Sequence, residues 1–217
     1  MYNLFLLIII IFTISTVEAN VNKNNMSLVG KVIYLDAGHG GLDPGSIYKN
    51  IYEKDINLSI VKKLQEVLEN EGAIVYLTRY GDYDLSKNYT DSRKKSDLNN
   101  RAKIINESGA DMYISIHLNS INSSTWSGAQ VFYDDVNENN LKLANIMQEI
   151  LKEDLKTKRE VKEINTMLMN RKITIPGILI EVGFLSNPND RYLLRQSDYQ
   201  YKIANSIKKG IIKYFQG

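Results

Sequence analysis

The chain has 217 residues, of which 43% are hydrophobic and 24% are charged, a balance typical of a folded globular protein and not of a disordered one. This length, without repeats or linkers, predicts a single domain. The net charge of only +2 gives no electrostatic basis for binding nucleic acid, so we expect no nucleic-acid partner. The absence of cysteine excludes disulfides, a thiol nucleophile and a cysteine zinc cluster.

The N-terminal segment has the pattern of an export signal. Residues 4–12 form an unbroken apolar run, which suits the core of a signal peptide and is shorter than the roughly 20 residues of a membrane span. The tripeptide VEA at residues 17–19 resembles a cleavage site. We therefore expect residues 1–19 to be a signal peptide, or a membrane anchor if they are retained. Residues 20–217 would then form one exported domain.

Strand patterns alternate with helix patterns along the rest of the chain. Short runs rich in β-branched residues predict strands at residues 31–36, 73–78, 112–117, 129–133 and 177–182. Apolar residues at helical spacing predict helices around residues 56–68, 98–105, 141–151 and 201–215. This alternation implies an α/β fold with a mainly parallel central sheet flanked by helices on both faces, in three αβα layers. We expect residues 81–96 to form a polar surface loop and Asp97 to cap the helix that follows it.

The two histidines of the chain lie at equivalent places in this arrangement. His39 follows the first predicted strand, and His117 ends the third. Because ligands of an open α/β sheet bind beyond the carboxyl ends of its strands, we expect both imidazoles at one site. Two imidazoles without cysteine suit zinc, which takes three protein ligands in catalytic sites. The third ligand would then be a carboxylate.

Four carboxylates are candidates for this third position. Asp36 precedes a glycine-rich loop, Asp43 lies in a turn sequence, and Glu53 stands just before the first predicted helix. Glu181 interrupts an apolar run, and a buried glutamate costs several kcal/mol unless it is paired or bound to metal. Spacing alone leaves open which of these carboxylates binds the metal and which one moves protons.

Four motifs occur in order along the chain. They are DAGHGG at residues 36–41, EKDINL at 53–58, SIHLN at 115–119 and IEVGFLSN at 180–187. Together they resemble the motifs of the zinc-dependent N-acetylmuramoyl-L-alanine amidases of bacterial cell walls, and the match covers nearly the whole chain after residue 31. The stretches YISIHLN and WSGAQ are most similar to the germination-specific amidases of the spore cortex. Ala37 and Ser120 depart from the commoner pattern, but neither supplies a ligand.

The resemblance implies a role for each candidate residue. His39, Glu53 and His117 match the zinc ligands of the family, and Glu181 matches its catalytic glutamate. The implied reaction is hydrolysis of the amide between the lactyl group of N-acetylmuramic acid and L-Ala in peptidoglycan. In the spore cortex this step precedes the formation of muramic-δ-lactam, which germination requires. The implied location is the cell envelope, or the intermembrane and cortex region of the spore.

The partners implied by the resemblance are peptidoglycan and an activator protein. Some family members depend on an activator, although no motif in this chain identifies one. Two other functions fit the same residues: a zinc peptidase that cuts within the stem peptide, and a non-catalytic protein that binds peptidoglycan. The complete set of four site residues argues against the second, because a protein that only binds has no need of all four.

Three further side chains have two interpretations each. Arg79 ends the second predicted strand, and Arg101 lies in the helix that follows it. Either these arginines pair with carboxylates of the protein, or they contact anionic groups of the stem peptide. Trp126 lies in a serine-rich loop, where it either stacks on sugar or peptide or packs against the protein.

Overall fold

Buried strands assemble into a six-stranded sheet in the computed structural model, which describes residues 26–87 and 92–217. The strands are β1 (Val32–Ala37), β2 (Ile47–Tyr48), β3 (Ile51–Tyr52), β4 (Ile74–Leu77), β5 (Met112–Asn119), β6 (Gln130–Tyr133), β7 (Lys162–Glu163) and β8 (Gly177–Phe184). The helices are α1 (Glu53–Glu69), α2 (Arg93–Asn106), α3 (Asn140–Leu155), α4 (Pro188–Leu193) and α5 (Ser197–Gln216), with a 3-10 turn at Asn170–Lys172.

The strand order in the sheet is β4-β1-β5-β8-β6-β7, and β2 and β3 form a separate hairpin. Strands β4, β1, β5 and β8 are parallel to one another, whereas β6 is antiparallel to β8 and parallel to β7. The mainly parallel sheet predicted from the sequence is therefore confirmed.

Side chains that alternate along the strands divide the core into two apolar clusters. In β1, Ile33 belongs to the larger cluster and Tyr34 to the smaller one, on the opposite face. Helices α1, α3 and α5 contribute to the larger cluster, and α2 contributes Ile105 to the smaller one. Helices thus cover both faces, as predicted, and this is why β8 is buried along its whole length.

Several local features differ from the sequence predictions. The prediction that Asp97 caps the second helix is wrong, because α2 begins four residues earlier and Asp97 pairs with Arg101 inside it. The first turn of α2 is polar, so it has no apolar periodicity by which it could be recognised. Helix α4 was also not predicted; it begins at Pro188 and is capped by the side chain of Asn187, which accepts hydrogen bonds from two backbone N–H groups.

The predicted export segment, residues 1–19, lies outside the described residues. Within the part of the chain that the structure describes, no helix combines the length and apolar character needed to cross a membrane.

The sheet register brings the site residues to one edge. Ala37, at the end of β1, is paired with Ile116 of β5, and His117 of β5 is paired with Glu181 of β8. The loop that follows β1 therefore lies beside the ends of two neighbouring strands. A Cβ atom at Gly38 would lie only 2.3 Å from the His117 ring, so glycine is required for this close approach.

Candidate active site

Three side chains from three different elements converge at this edge of the sheet. His39 lies in the loop after β1, Glu53 is the first residue of α1, and His117 lies near the end of β5. Glu53 Oε1 is 3.1 Å from His39 Nε2 and 3.1 Å from His117 Nδ1. One potential ligand atom from each of the three lies within 4.8 Å of the others, so the arrangement can hold a metal ion.

The donor set and its spacing fit zinc. Nitrogen and oxygen ligands about 2.0–2.2 Å from one tetrahedral zinc ion lie roughly 3.3–3.6 Å apart, close to the separations from Glu53 Oε1. Two imidazoles and a carboxylate are also a ligand set of catalytic zinc sites, in which the fourth position is left for water or substrate. The three residues therefore fit the ion that the sequence predicted.

Close packing shifts the pKa values of these groups. Burial would lower the pKa of His39, but hydrogen bonds with Asp43 and Glu53 outweigh it and raise this pKa to about 9. Burial also opposes ionisation of Glu53, yet its hydrogen bonds with the imidazoles of His117 and His39 hold its pKa well below the usual range. Glu53 is therefore ionised at neutral pH, and metal binding would displace a proton from His39.

Contacts behind the three residues fix their orientation. His39 Nδ1 donates to Asp43 Oδ2 at 2.9 Å, so Nε2 is the ring atom that faces Glu53. Glu53 accepts hydrogen bonds from the backbone N–H groups of Ser46 at 2.8 Å and of Leu118 at 3.0 Å. Asp43, one of the four candidate ligands, therefore orients His39, as carboxylates commonly do for histidines at metal sites.

Glu181 differs from Glu53 in its surroundings. Its side chain lines the same cleft as the three-residue cluster, and the residue is only 9% exposed. Its Oε2 atom is buried and has no hydrogen-bond partner among the described residues. Burial raises the pKa of Glu181 to about 7. This carboxylate can therefore take up and release a proton near neutral pH.

The cleft around these groups has a volume of about 650 Å³. Its polar lining includes His39, Glu53, His117 and Asn119. Apolar side chains that sequence reasoning missed, Leu98, Met167 and Leu168, contribute another part. Met167 and Leu168 lie between β7 and β8, where no motif or periodicity in the sequence marks them.

Trp126 lies in a second cleft, with its ring centre 4.3 Å from the Arg159 guanidinium carbon.

Comparison with known proteins identifies the family. The family model described as N-acetylmuramoyl-L-alanine amidase matches residues 33–213. The chain belongs to the N-acetylmuramoyl-L-alanine amidase family. It is therefore an enzyme, a peptidoglycan amidase, and its substrate lies outside the cytoplasm.

Several members of this family are similar over most of the amidase chain. The germination-specific N-acetylmuramoyl-L-alanine amidase of Bacillus subtilis is 46% identical over 195 residues, which cover 88% of this chain and 82% of that protein. The CwlD amidase of Clostridioides difficile, solved in complex with the GerS lipoprotein, is 43% identical, with a TM-score of 0.82 over 86% of this chain and 98% of that one. Another amidase of Clostridium difficile 630 is 32% identical, with a TM-score of 0.78 over 86% of this chain and 97% of that one.

A buried ionic network supports the loop that carries His39 from behind. Asp36 accepts hydrogen bonds from Arg101 at 2.7 Å, Ser115 at 2.6 Å and Thr78 at 2.8 Å. Burial would raise the pKa of Asp36, but the Arg101 guanidinium outweighs it, and the pKa is about 2. Asp36, another of the four candidate ligands, therefore serves as a structural anion within this network.

Two arginines hold the backbone of this loop. Arg101 donates to the carbonyl oxygens of Ala37 at 2.9 Å and His39 at 2.6 Å, and Arg79 donates to those of Ala37 at 2.9 Å and Gly38 at 3.1 Å. The backbone of His39 has a φ of 63°, a left-handed conformation that is unfavourable for histidine. Both arginines are 1% exposed. Arg101 pairs with carboxylates of the protein, which was one of its two predicted roles, whereas the hydrogen bonds of Arg79 go to backbone carbonyl oxygens.

Replacement of Arg101 tests this network. Arg101→Met would leave the buried carboxylates of Asp36 and Asp97 without their guanidinium partner, so we expect the free energy of unfolding to fall by about 3–5 kcal/mol. Urea denaturation of metal-free protein measures this loss. Lys103→Met is the matched control, because Lys103 lies on the same helix with its side chain 59% exposed; its effect should stay within about 0.5 kcal/mol. Equal stability of the two variants would contradict the proposed role of Arg101.

Proposed function

We propose that the enzyme is a zinc-dependent amidase in which His39, Glu53 and His117 hold the metal and Glu181 transfers protons. The observation that carries this proposal is the convergence of the three potential ligand atoms in the cleft that Glu181 also lines, with its buried Oε2 atom free of hydrogen bonds to the described residues. When bound, zinc supplies a nucleophile from water near neutral pH and polarises the carbonyl of the scissile amide.

Side chains of the enzyme transfer the protons and orient the proposed ligands. Glu181, with a pKa of about 7, accepts a proton from the attacking water and donates one to the departing amine of L-Ala. Asp43 holds His39 through Nδ1, which would leave Nε2 as the nitrogen that holds the metal. Hydrolysis breaks the C–N bond, adds the water oxygen to the lactyl carbonyl carbon, and leaves a lactyl carboxylate and the free amino group of L-Ala.

Removal of one ligand tests the metal assignment. We expect one zinc ion per chain in the wild-type protein, and His117→Ala should bind zinc at least about 100-fold more weakly, because two ligands no longer enclose the ion. Metal analysis after dialysis, with a competing chelator, measures both quantities. Ser120→Ala is the control, because Ser120 lines the same cleft and is not a proposed ligand. Tight stoichiometric zinc in His117→Ala would remove His117 from the ligand set.

Replacement of Glu181 separates proton transfer from metal binding. Glu181→Gln should keep one zinc per chain and lose about 10²–10⁴-fold in turnover, the scale of a lost general acid–base group. Mass spectrometry of a muropeptide digest gives the rate and the bond cut, since an amidase releases a peptide that begins with a free L-Ala amine. A zinc peptidase would leave L-Ala on the muramic acid. Loss of zinc together with rate would make Glu181 a ligand.

We also propose that the enzyme is exported and acts on cortex peptidoglycan, so that muramic-δ-lactam can form before germination. A partner protein would activate the enzyme. This proposal is supported by the similarity to the germination-specific enzyme of Bacillus subtilis and by the export pattern of residues 1–19. The partner is inferred from the similarity to a CwlD amidase that was solved with the GerS lipoprotein.

Spore chemistry tests the cortex role. Spores of the producing organism that lack the gene should contain no muramic-δ-lactam, and a wild-type copy should restore it, whereas a Glu181→Gln copy should not. Digestion of purified cortex followed by mass spectrometry measures the lactam. Normal lactam in the deletion strain would place the activity in another part of the cell wall.

A further inference from the structure

Positive charge is scarce in the active-site cleft. Among the described residues that line it, Lys94 and Arg101 are the two with permanent cationic side chains. Every nitrogen of the Arg101 guanidinium already donates to the protein: Nε to Asp97, Nη1 to Asp36 and Nη2 to the carbonyl oxygen of His39. Arg101 is also 1% exposed. The Arg101 guanidinium is therefore buried and largely committed to contacts within the protein.

Lys94 has the opposite character. It lies in the first turn of α2, and its side chain is 68% exposed. Its Nζ lies 3.8 Å from Asp43 Oδ2, beyond hydrogen-bond distance, and this is the ion pair it makes among the described residues. Both oxygens of Asp43 are already engaged, Oδ2 with His39 and Oδ1 with the N–H of Gly45. The ammonium group of Lys94 thus remains able to bind an anion at the cleft.

The substrate can carry an anion close to the reacting bond. In the stem peptide, L-Ala is followed by D-Glu, which continues the peptide through its γ-carboxyl group and leaves its α-carboxyl group either free or amidated. In an extended peptide this α-carboxyl carbon lies about 7 Å from the scissile carbonyl carbon, since successive Cα atoms are 3.8 Å apart. Lys94 Nζ and His39 Nδ1 approach the same oxygen of Asp43, at 3.8 Å and 2.9 Å, so the ammonium group lies close to the histidine that faces the proposed reaction centre.

We propose that Lys94 binds the free α-carboxylate of the D-Glu residue and makes the amidase prefer stem peptides in which this group is not amidated. The inference rests on the proposed amidase function and adds a specificity determinant to it. Lys94 acts on substrate binding and takes no part in the bond-breaking step. Its loss should therefore change KM for the charged substrate and leave kcat unchanged.

Two synthetic substrates that differ by one charge test this proposal. Both are N-acetylmuramoyl-L-Ala-D-Glu blocked as the γ-methylamide; one has a free α-carboxylate, and the other has an α-carboxamide. We expect the wild-type zinc enzyme to show kcat/KM roughly five- to tenfold higher for the carboxylate, the scale of one partly exposed charge-assisted contact. Added salt should narrow this preference, because the contact is open to solvent.

Three variants assign the preference to Lys94. Lys94→Ala should bring the ratio of the two kcat/KM values to about one through KM for the carboxylate, and Lys94→Arg should retain most of the preference. Lys95→Ala is the matched control, since it removes the same charge from the same turn of α2 at a residue that does not line the cleft. It should keep the wild-type ratio.

The outcomes separate this inference from the proposed function. Failure of the wild-type enzyme with zinc to release the L-Ala-D-Glu peptide from either substrate would overturn the proposal of a zinc-dependent amidase itself. Hydrolysis of both substrates at equal efficiency would overturn only the role of Lys94. The role of Lys94 would also be overturned if Lys94→Ala kept the preference for the carboxylate substrate. It would be overturned as well if Lys95→Ala lost as much of this preference as Lys94→Ala, because the effect would then come from overall charge.

Discussion

The ion pair between Arg101 and Asp36 is the interaction on which the rest of the site depends. Asp36 is the last but one residue of β1, and the loop that carries His39 starts directly after Ala37. Because Arg101 neutralises Asp36 and also binds the His39 carbonyl oxygen, one buried side chain connects the sheet, α2 and the loop. A histidine in a left-handed conformation is sustained only by such surrounding contacts. The cluster of His39, Glu53 and His117 is thus supported from the protein interior.

Much of the architecture could be predicted from periodicity. The five predicted strands and four predicted helices correspond to elements of the structure because each buries an apolar stripe, and burial is what produces the pattern. Hairpin β2–β3 and strand β7 were not predicted, since their two-residue strands are too short to show alternation. The start of α2 was also not predicted, because its first residues are polar and show no apolar periodicity.

The site shows the same division between local and spatial information. Spacing placed both histidines at one edge of the sheet but left Glu53 and Glu181 indistinguishable, and only the resemblance assigned them different roles. Their surroundings differ clearly in three dimensions, since two imidazoles and two backbone N–H groups surround Glu53, whereas one oxygen of Glu181 has no partner among the described residues. Sequence could not have assigned Asp43 to His39 or Arg101 to Asp36, because these contacts depend on how the loop after β1 folds back.

The close approach of the His117 ring to Gly38 has a consequence for variation in this enzyme. The space in which a side chain at position 38 would stand is already filled by an imidazole from the neighbouring strand. The amino acid at this position is thus dictated by a residue distant in sequence and not by the turn in which it lies. A methyl group there would push two elements of the site apart. Such a variant would disturb the proposed zinc site much as a ligand mutant does, although its new side chain offers no ligand atom to a metal.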